Sequence, residues 1–173
     1  KNIVTQDNGG VKIDNAEKLR GDVLDQLILN AVLNPSAEIK GLSRFLIKSA
    51  AQELGIVTSS IQGLYDARGR GEVKGLTVPA LNIRGLPYEL CRAIFRTAIK
   101  TNAGAFIFEL AKSEMGYTFQ KPQELSTVIL TAAIKEGFTG PVFIQGDHFQ
   151  VNAKNYALDP AKEVAGLKEL IKN

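Results

Sequence analysis

Gln145-Gly146-Asp147-His148 sets a carboxylate beside the only histidine of the chain, at the end of the apolar run Pro141-Val142-Phe143-Ile144. The run reads as a short buried strand whose last residues turn abruptly polar. Barrel and open α/β strands present their chemistry in this way, at the carboxyl end. A neutral imidazole next to a carboxylate suits metal ligation and proton transfer. The pair reads equally as a histidine satisfied in a loop, its ring bonded to Asp147 or to backbone. Two more stretches bear on the choice. Residues 76–83 predict a strand that ends in Asn82 and is followed by Arg84, and residues 105–108 predict a second strand, apolar throughout and so buried on both faces, that ends in Glu109. Three strand ends carrying Asn82, Arg84, Glu109, Gln145, Asp147 and His148 on one rim favour a site over a structural loop.

The elements that must position these residues follow from periodicity and breakers. Residues 3–4 and 11–13 flank Asp7-Asn8-Gly9-Gly10, a turn signal between two extended pieces. Asp14 or Asn15 caps a helix with apolar residues at three- and four-residue steps, stopped by Asn34-Pro35. Ser36 caps a second helix that closes at Gly55. A third, short helix starts at Ser59 or Ser60 and ends near Ala67. From residue 76 the order becomes strand, helix, strand, helix, strand, helix. The helices run from Gly85-Leu86-Pro87 to Asn102, from Pro122 to Gly137, and from the cap pair Asp159-Pro160 to the end, and residues 112–121 form a polar loop. Three βα units predict a parallel sheet. The expected architecture is α/β: a helical N-terminal extension over residues 1–67, then three βα units over 68–173. A complete (β/α)₈ barrel takes around 250 residues, so these units would be a partial TIM barrel or a small open sheet.

With 173 residues, 45% hydrophobic and 23% charged, the chain has the makings of one sizeable core. The net charge of +3 is too mild and too dispersed for a nucleic-acid surface. Arg68-Gly69-Arg70-Gly71 reads as a solvated turn or, together with Arg84, as a phosphate cradle. The single cysteine, Cys91, falls on the apolar side of a helix and reads as a core thiol. No long apolar run or signal-like opening points to a membrane, and the expected location is cytoplasmic. Dinucleotide-binding, phosphate-loop and nucleophile-elbow motifs are lacking.

Thr77-Val78-Pro79-Ala80-Leu81-Asn82-Ile83 resembles the first barrel strand of the class II, zinc-dependent ketose-bisphosphate aldolases. Pro141-Val142-Phe143-Ile144-Gln145-Gly146-Asp147-His148 resembles their third strand, which ends in an Asp-His pair, with one βα unit between the two. Residues 61–156 resemble a branch of such proteins with an added helical N-terminal section. The resemblance implies a (β/α)₈ fold and reversible aldol cleavage of a phosphorylated ketose to dihydroxyacetone phosphate and an aldehyde. It makes Asp147 the proton-transfer residue and His148 a Zn2+ ligand, and it puts Asn82 near substrate. Gln145 and Glu109 join Asn82 as substrate-contacting candidates from their place on the rim. Glu109 also reads as a second metal ligand, a proton relay, or the partner of Arg84 in a buried ion pair. The family's glycine-rich second strand with its serine is replaced by Phe108-Glu109-Leu110-Ala111, and the remaining zinc histidines and phosphate loops come from later strands. The isolated chain is therefore expected to bind metal poorly and to show little activity. A phosphorylated sugar is the implied substrate, and a homo-oligomer or a complementing chain is the implied partner. The competing expectation is a non-catalytic, structural or accessory aldolase-like piece that needs a partner to complete its barrel.

Overall fold

The computed structural model of the chain describes residues 3–7 and 10–172. Strands β1 (Val4–Asp7) and β2 (Gly10–Ile13) form an antiparallel hairpin, with Val4 opposite Ile13. Residues 8 and 9 of the expected turn lie outside the described residues. The Asn15 side chain caps α1 (Ala16–Lys18) by accepting from the Lys18 N–H at 2.9 Å. A π-type turn at Leu19–Val23, broken at Gly21, leads into α2 (Leu24–Leu33). Helix α3 (Ala37–Glu53) is capped by Ser36, whose hydroxyl accepts from the Ile39 N–H at 3.3 Å.

The next element differs from the sequence expectation. The helix expected to start at Ser59 or Ser60 starts later, as α4 (Gln62–Gly69), and residues 56–59, to the first three of which no element was assigned, form strand β3 (Ile56–Ser59). Then come β4 (Ala80–Asn82), α5 (Pro87–Thr101), β5 (Ile107–Ala111), α6 (Glu114–Thr118), α7 (Pro122–Glu136), β6 (Gly140–Asp147), α8 (Ala153–Leu158) and α9 (Pro160–Lys172). Strand β4 is shorter than residues 76–83 suggested, because Pro79 has no N–H for the ladder; its carbonyl still accepts from the Ile107 N–H at 2.9 Å. Strand β5 runs on through Glu109 to Ala111, and the loop expected at 112–121 contains α6. Helix α8 was not foreseen, although Asn152 caps it by accepting from the Lys154 and Asn155 N–H groups. The expected cap before α9 is present, with Asp159 accepting from the Lys162 N–H at 3.0 Å.

The four strands form one parallel sheet in the order β3-β6-β5-β4. The three strands expected from the βα units are neighbours in chain order. The unforeseen β3 takes the free side of β6, where a further βα unit of a continuing barrel would pair. Alternation along the strands separates two faces. Leu81, Phe108, Leu110, Val142 and Ile144 share the face covered by helices, where the Phe108 ring lies 5.4 Å from that of Phe95 on α5. Phe95 and Phe108 are fully buried, and burial of each such side chain contributes about 1.5–3 kcal/mol.

Helix α7 is central. Residues from Leu125 to Ile134 are almost all buried because α2, α3, α5 and the sheet surround it, as befits a helix apolar on every side. Gly137 ends it in the left-handed conformation at φ 73°. The helical N-terminal section and the βα units share one core, which runs from Leu19 through Ile47 to Ile134. Cys91 is completely buried in it, as expected, and burial pushes its thiol up to about 12. On the other face of the sheet Val57, Ser59, Ala80, Pro141 and Gln145 are exposed.

Candidate functional site at the carboxyl ends of the strands

Strand register decides which side chains meet. Asn82 is paired with Glu109 and Glu109 with Gln145, which makes a row across three strands, and Asp147 stands one step further along β6, opposite Ala111. A two-residue period sends all four to the same face, the one opposite the α5 and α7 helices. The structure thus brings together the residues that the sequence placed on separate strand ends. The Asn82 amide donates to Asp147 Oδ2 at 3.0 Å. Gln145 donates to Glu109 across β5 and β6. Below this row, an open depression of about 450 Å³ is lined by Ser59, Tyr65, Ile107, Phe143 and Gln145.

His148 belongs to the rim but stands outside it. Its ring is 77% exposed, with Nε2 3.4 Å from Asp147 Oδ1. Its φ of 52° is left-handed, a conformation that histidine adopts more readily than most non-glycine residues but at some energetic cost. The tight turn that results, closed by the Gln150 N–H to the His148 carbonyl at 2.9 Å, folds the Phe149 ring back onto Gly146. A Cβ on Gly146 would lie 2.5 Å from Cγ and Cδ2 of that ring, so the sequence Gly-Asp-His-Phe is a packed unit rather than a free loop.

Two sequence expectations change here. Arg84 does not pair with Glu109; its Nε donates to Glu114 Oε1 at 2.5 Å. Glu114, placed by sequence in a solvated loop, is only 3% exposed. Its Oε2 accepts from the Ala111 N–H at 2.9 Å and from the Asn82 amide at 3.1 Å. Burial pushes the Glu114 carboxyl up, but the Ala111 N–H and the Arg84 and Asn82 donors outweigh it and leave the group below its ordinary range. Sequence reasoning missed Glu114 because a polar stretch reads as solvated. The signal available was its position directly after a buried strand, where an uncapped carbonyl and N–H edge needs a partner. The phosphate-cradle reading loses two of its three arginines. Arg68 donates to the Leu76 carbonyl at 2.6 Å, and Arg70 is clasped by Glu72 at 2.6 Å.

The network contains one imidazole and several carboxylates, and among the described residues no group of three His, Cys, Asp or Glu side chains is arranged to hold a metal ion. Asp147 and His148 by themselves therefore do not make a zinc site, which takes three or four protein ligands. What the rim offers directly is a partly exposed carboxylate, Asp147, oriented by the Asn82 amide, which also bonds the carboxylate that holds Arg84. That arrangement suits hydrogen bonding to hydroxyl and carbonyl oxygens and proton exchange with them. No helix among the described residues is long and apolar enough to cross a membrane. No family model matches the chain, and no curated protein or solved structure matches it.

Proposed function

We propose that the chain is the N-terminal part of a class II aldolase-like (β/α)₈ lyase that cleaves a phosphorylated ketose of the fructose or tagatose bisphosphate type. The observation that carries this reading is the Asn82 to Asp147 hydrogen bond, 3.0 Å long, which joins the two segments of the resemblance across an intervening strand. Polar side chains gathered at the carboxyl ends of parallel strands also support a section of barrel wall, in which β3 gives up its place beside β6 to the next βα unit. In this reading Asp147 accepts the proton of the hydroxyl on the carbon that becomes the aldehyde, and returns it in the synthetic direction. Asn82 holds the Asp147 carboxylate in place, and Gln145 and Glu109 bind substrate hydroxyls. Of the zinc ligands that the resemblance implies, this chain supplies His148, and the others come from outside residues 1–173. The test is cleavage of both bisphosphates by the complete assembly containing this chain. The Asp147→Asn variant loses roughly 10²–10⁴-fold in turnover, the range for general acid–base catalysis. Full activity in that variant, or no cleavage by the intact assembly, rejects the proposal.

A second reading, an accessory subunit without catalysis, is favoured by the exposed sheet face around Val57, Ala80 and Pro141 and by the outer side of β4, which pairs with no strand among the described residues. Uncovered edges and apolar faces call for a partner, either a second copy or a complementing chain. Equilibrium sedimentation separates the readings in part: a monomer at micromolar concentration contradicts the need for a partner.

A further inference from the structure

Glu114 is the buried ionisable group for which the proposed mechanism has no use. An isolated carboxylate this deep is strongly disfavoured, so its donors define what it is for. They come from three places: the backbone at the end of β5, the amide of Asn82 at the end of β4, and Arg84 just beyond β4. Arg84 does not grip Glu114 with both prongs of its fork. It donates through Nε, its side chain stays 62% exposed, and its terminal nitrogens make no other hydrogen bond among the described residues. Asn82 divides one amide nitrogen between Glu114 and Asp147, so the position of Glu114 is passed on to Asp147.

We propose that Glu114 is a positioning residue: its buried carboxylate aims Arg84 and Asn82, so that the terminal amino groups of Arg84 stand ready beside Asp147 as donors to a ligand oxygen. Arg92 likewise meets Glu136 through Nε alone, but its Nη1 is taken up by Glu89. At Arg84 no second carboxylate among the described residues takes up the terminal nitrogens, and these donors are left facing solvent at the rim. A ligand oxygen bound there meets a donor in Arg84 and an acceptor in Asp147, the pattern that a hydroxyl beside a carbonyl would satisfy. The identity of that ligand rests on the aldolase reading; the positioning itself does not.

The test is NMR of the 173-residue chain, in which the single histidine gives one imidazole to follow. In the wild type the Arg84 Nε–H is shifted downfield and protected from exchange. In Glu114→Gln that signal is lost, and the Asn82 side-chain amide and the His148 imidazole resonances shift, although Glu114 touches neither ring nor Asp147. Arg84→Lys leaves the His148 resonances in place, because the Asn82 to Asp147 bond survives. In the complete assembly that contains this chain, titration with dihydroxyacetone phosphate as the probe moves the Arg84 Nε–H of the wild type and moves nothing in Glu114→Gln. Unchanged Asn82 and His148 signals in a folded Glu114→Gln overturn the positioning role, and a wild-type Arg84 signal that ignores the probe overturns the ligand-facing role. If Glu114→Gln fails to fold, Glu114→Asp, which keeps the charge but withdraws it from Arg84, gives the same readout. Failure of the aldolase reading appears separately, as an assembly that binds the probe but cleaves no bisphosphate.

Discussion

Replacing Asn82 by aspartate tests the shared amide most severely. The Asn82 nitrogen lies 3.1 Å from a Glu114 oxygen and 3.0 Å from an Asp147 oxygen, so the substitution puts a third carboxylate against two others. At an effective dielectric constant of 20, two charges 3 Å apart repel by about 5–6 kcal/mol, and there are two such pairs. The chain does not bear that full cost, because one carboxyl can take up a proton instead. Holding a group of ordinary pKa near 3.9 protonated at pH 7.5 costs about 1.36 × 3.6, or about 5 kcal/mol, and that figure is the ceiling on the electrostatic penalty. Asn82→Ala sets the baseline: it removes two hydrogen bonds to charged acceptors, of which Asp147 is rehydrated while Glu114, at 3% exposure, is not, for a cost of about 1.5–3 kcal/mol. Asn82→Asp should be less stable than Asn82→Ala at pH 7.5 by up to about 5 kcal/mol, and the gap should narrow to at most about 1.5 kcal/mol at pH 5 as the extra proton becomes easier to hold. Urea unfolding of both variants at the two pH values measures this directly. Equal stability at pH 7.5, or a gap that widens towards pH 5, would refute the geometry of the three side chains.

The wild type should show the opposite dependence on pH. Glu114 has a folded pKa below the ordinary 4.5, so its contribution is complete above that value and is lost as pH falls through the folded one; thermal melts should drop as pH falls below about 4.5, and Glu114→Gln should flatten the drop. Cys91, its thiol pushed up from 9.0 to about 12, holds about 10³-fold less thiolate than an ordinary cysteine at pH 8, and a disulfide reagent should label it only as fast as the core opens, with labelling becoming rapid in denaturant. Gly146→Ala should cost about 1–3 kcal/mol, because a methyl group 2.5 Å from the base of the Phe149 ring forces the whole ring to move; a melting temperature equal to that of the wild type would show that Phe149 does not pack on Gly146.

The strand ends were legible because burial writes itself into sequence as apolar runs, and an abrupt change to Asn, Glu or Gln-Gly-Asp-His marks where each run leaves the core. Their convergence followed from parallel strands sharing one rim. Register is not written that way. Nothing in the composition of residues 80–82 and 140–147 says that Asn82 stands in line with Glu109 and Gln145 and within reach of Asp147, because a shift of one residue would leave the same apolar pattern on the opposite face. Strand β3 was missed although Ile56-Val57-Thr58 is a β-branched run directly after the helix-ending Gly55; the capping serines that follow suggested a helix, and an edge strand with three of its four residues exposed has little apolar pattern with which to oppose that reading. Glu114 marks the deeper limit. Its burial depends on a donor from β4, a second from the loop beyond β4 and a third from the end of β5, contributed by residues up to 32 positions away. A buried charge is favourable only when its partners arrive together, so it cannot be recognised from its own neighbourhood in the chain. For the same reason its removal should be felt at Asp147, across the rim, rather than in the loop that contains it.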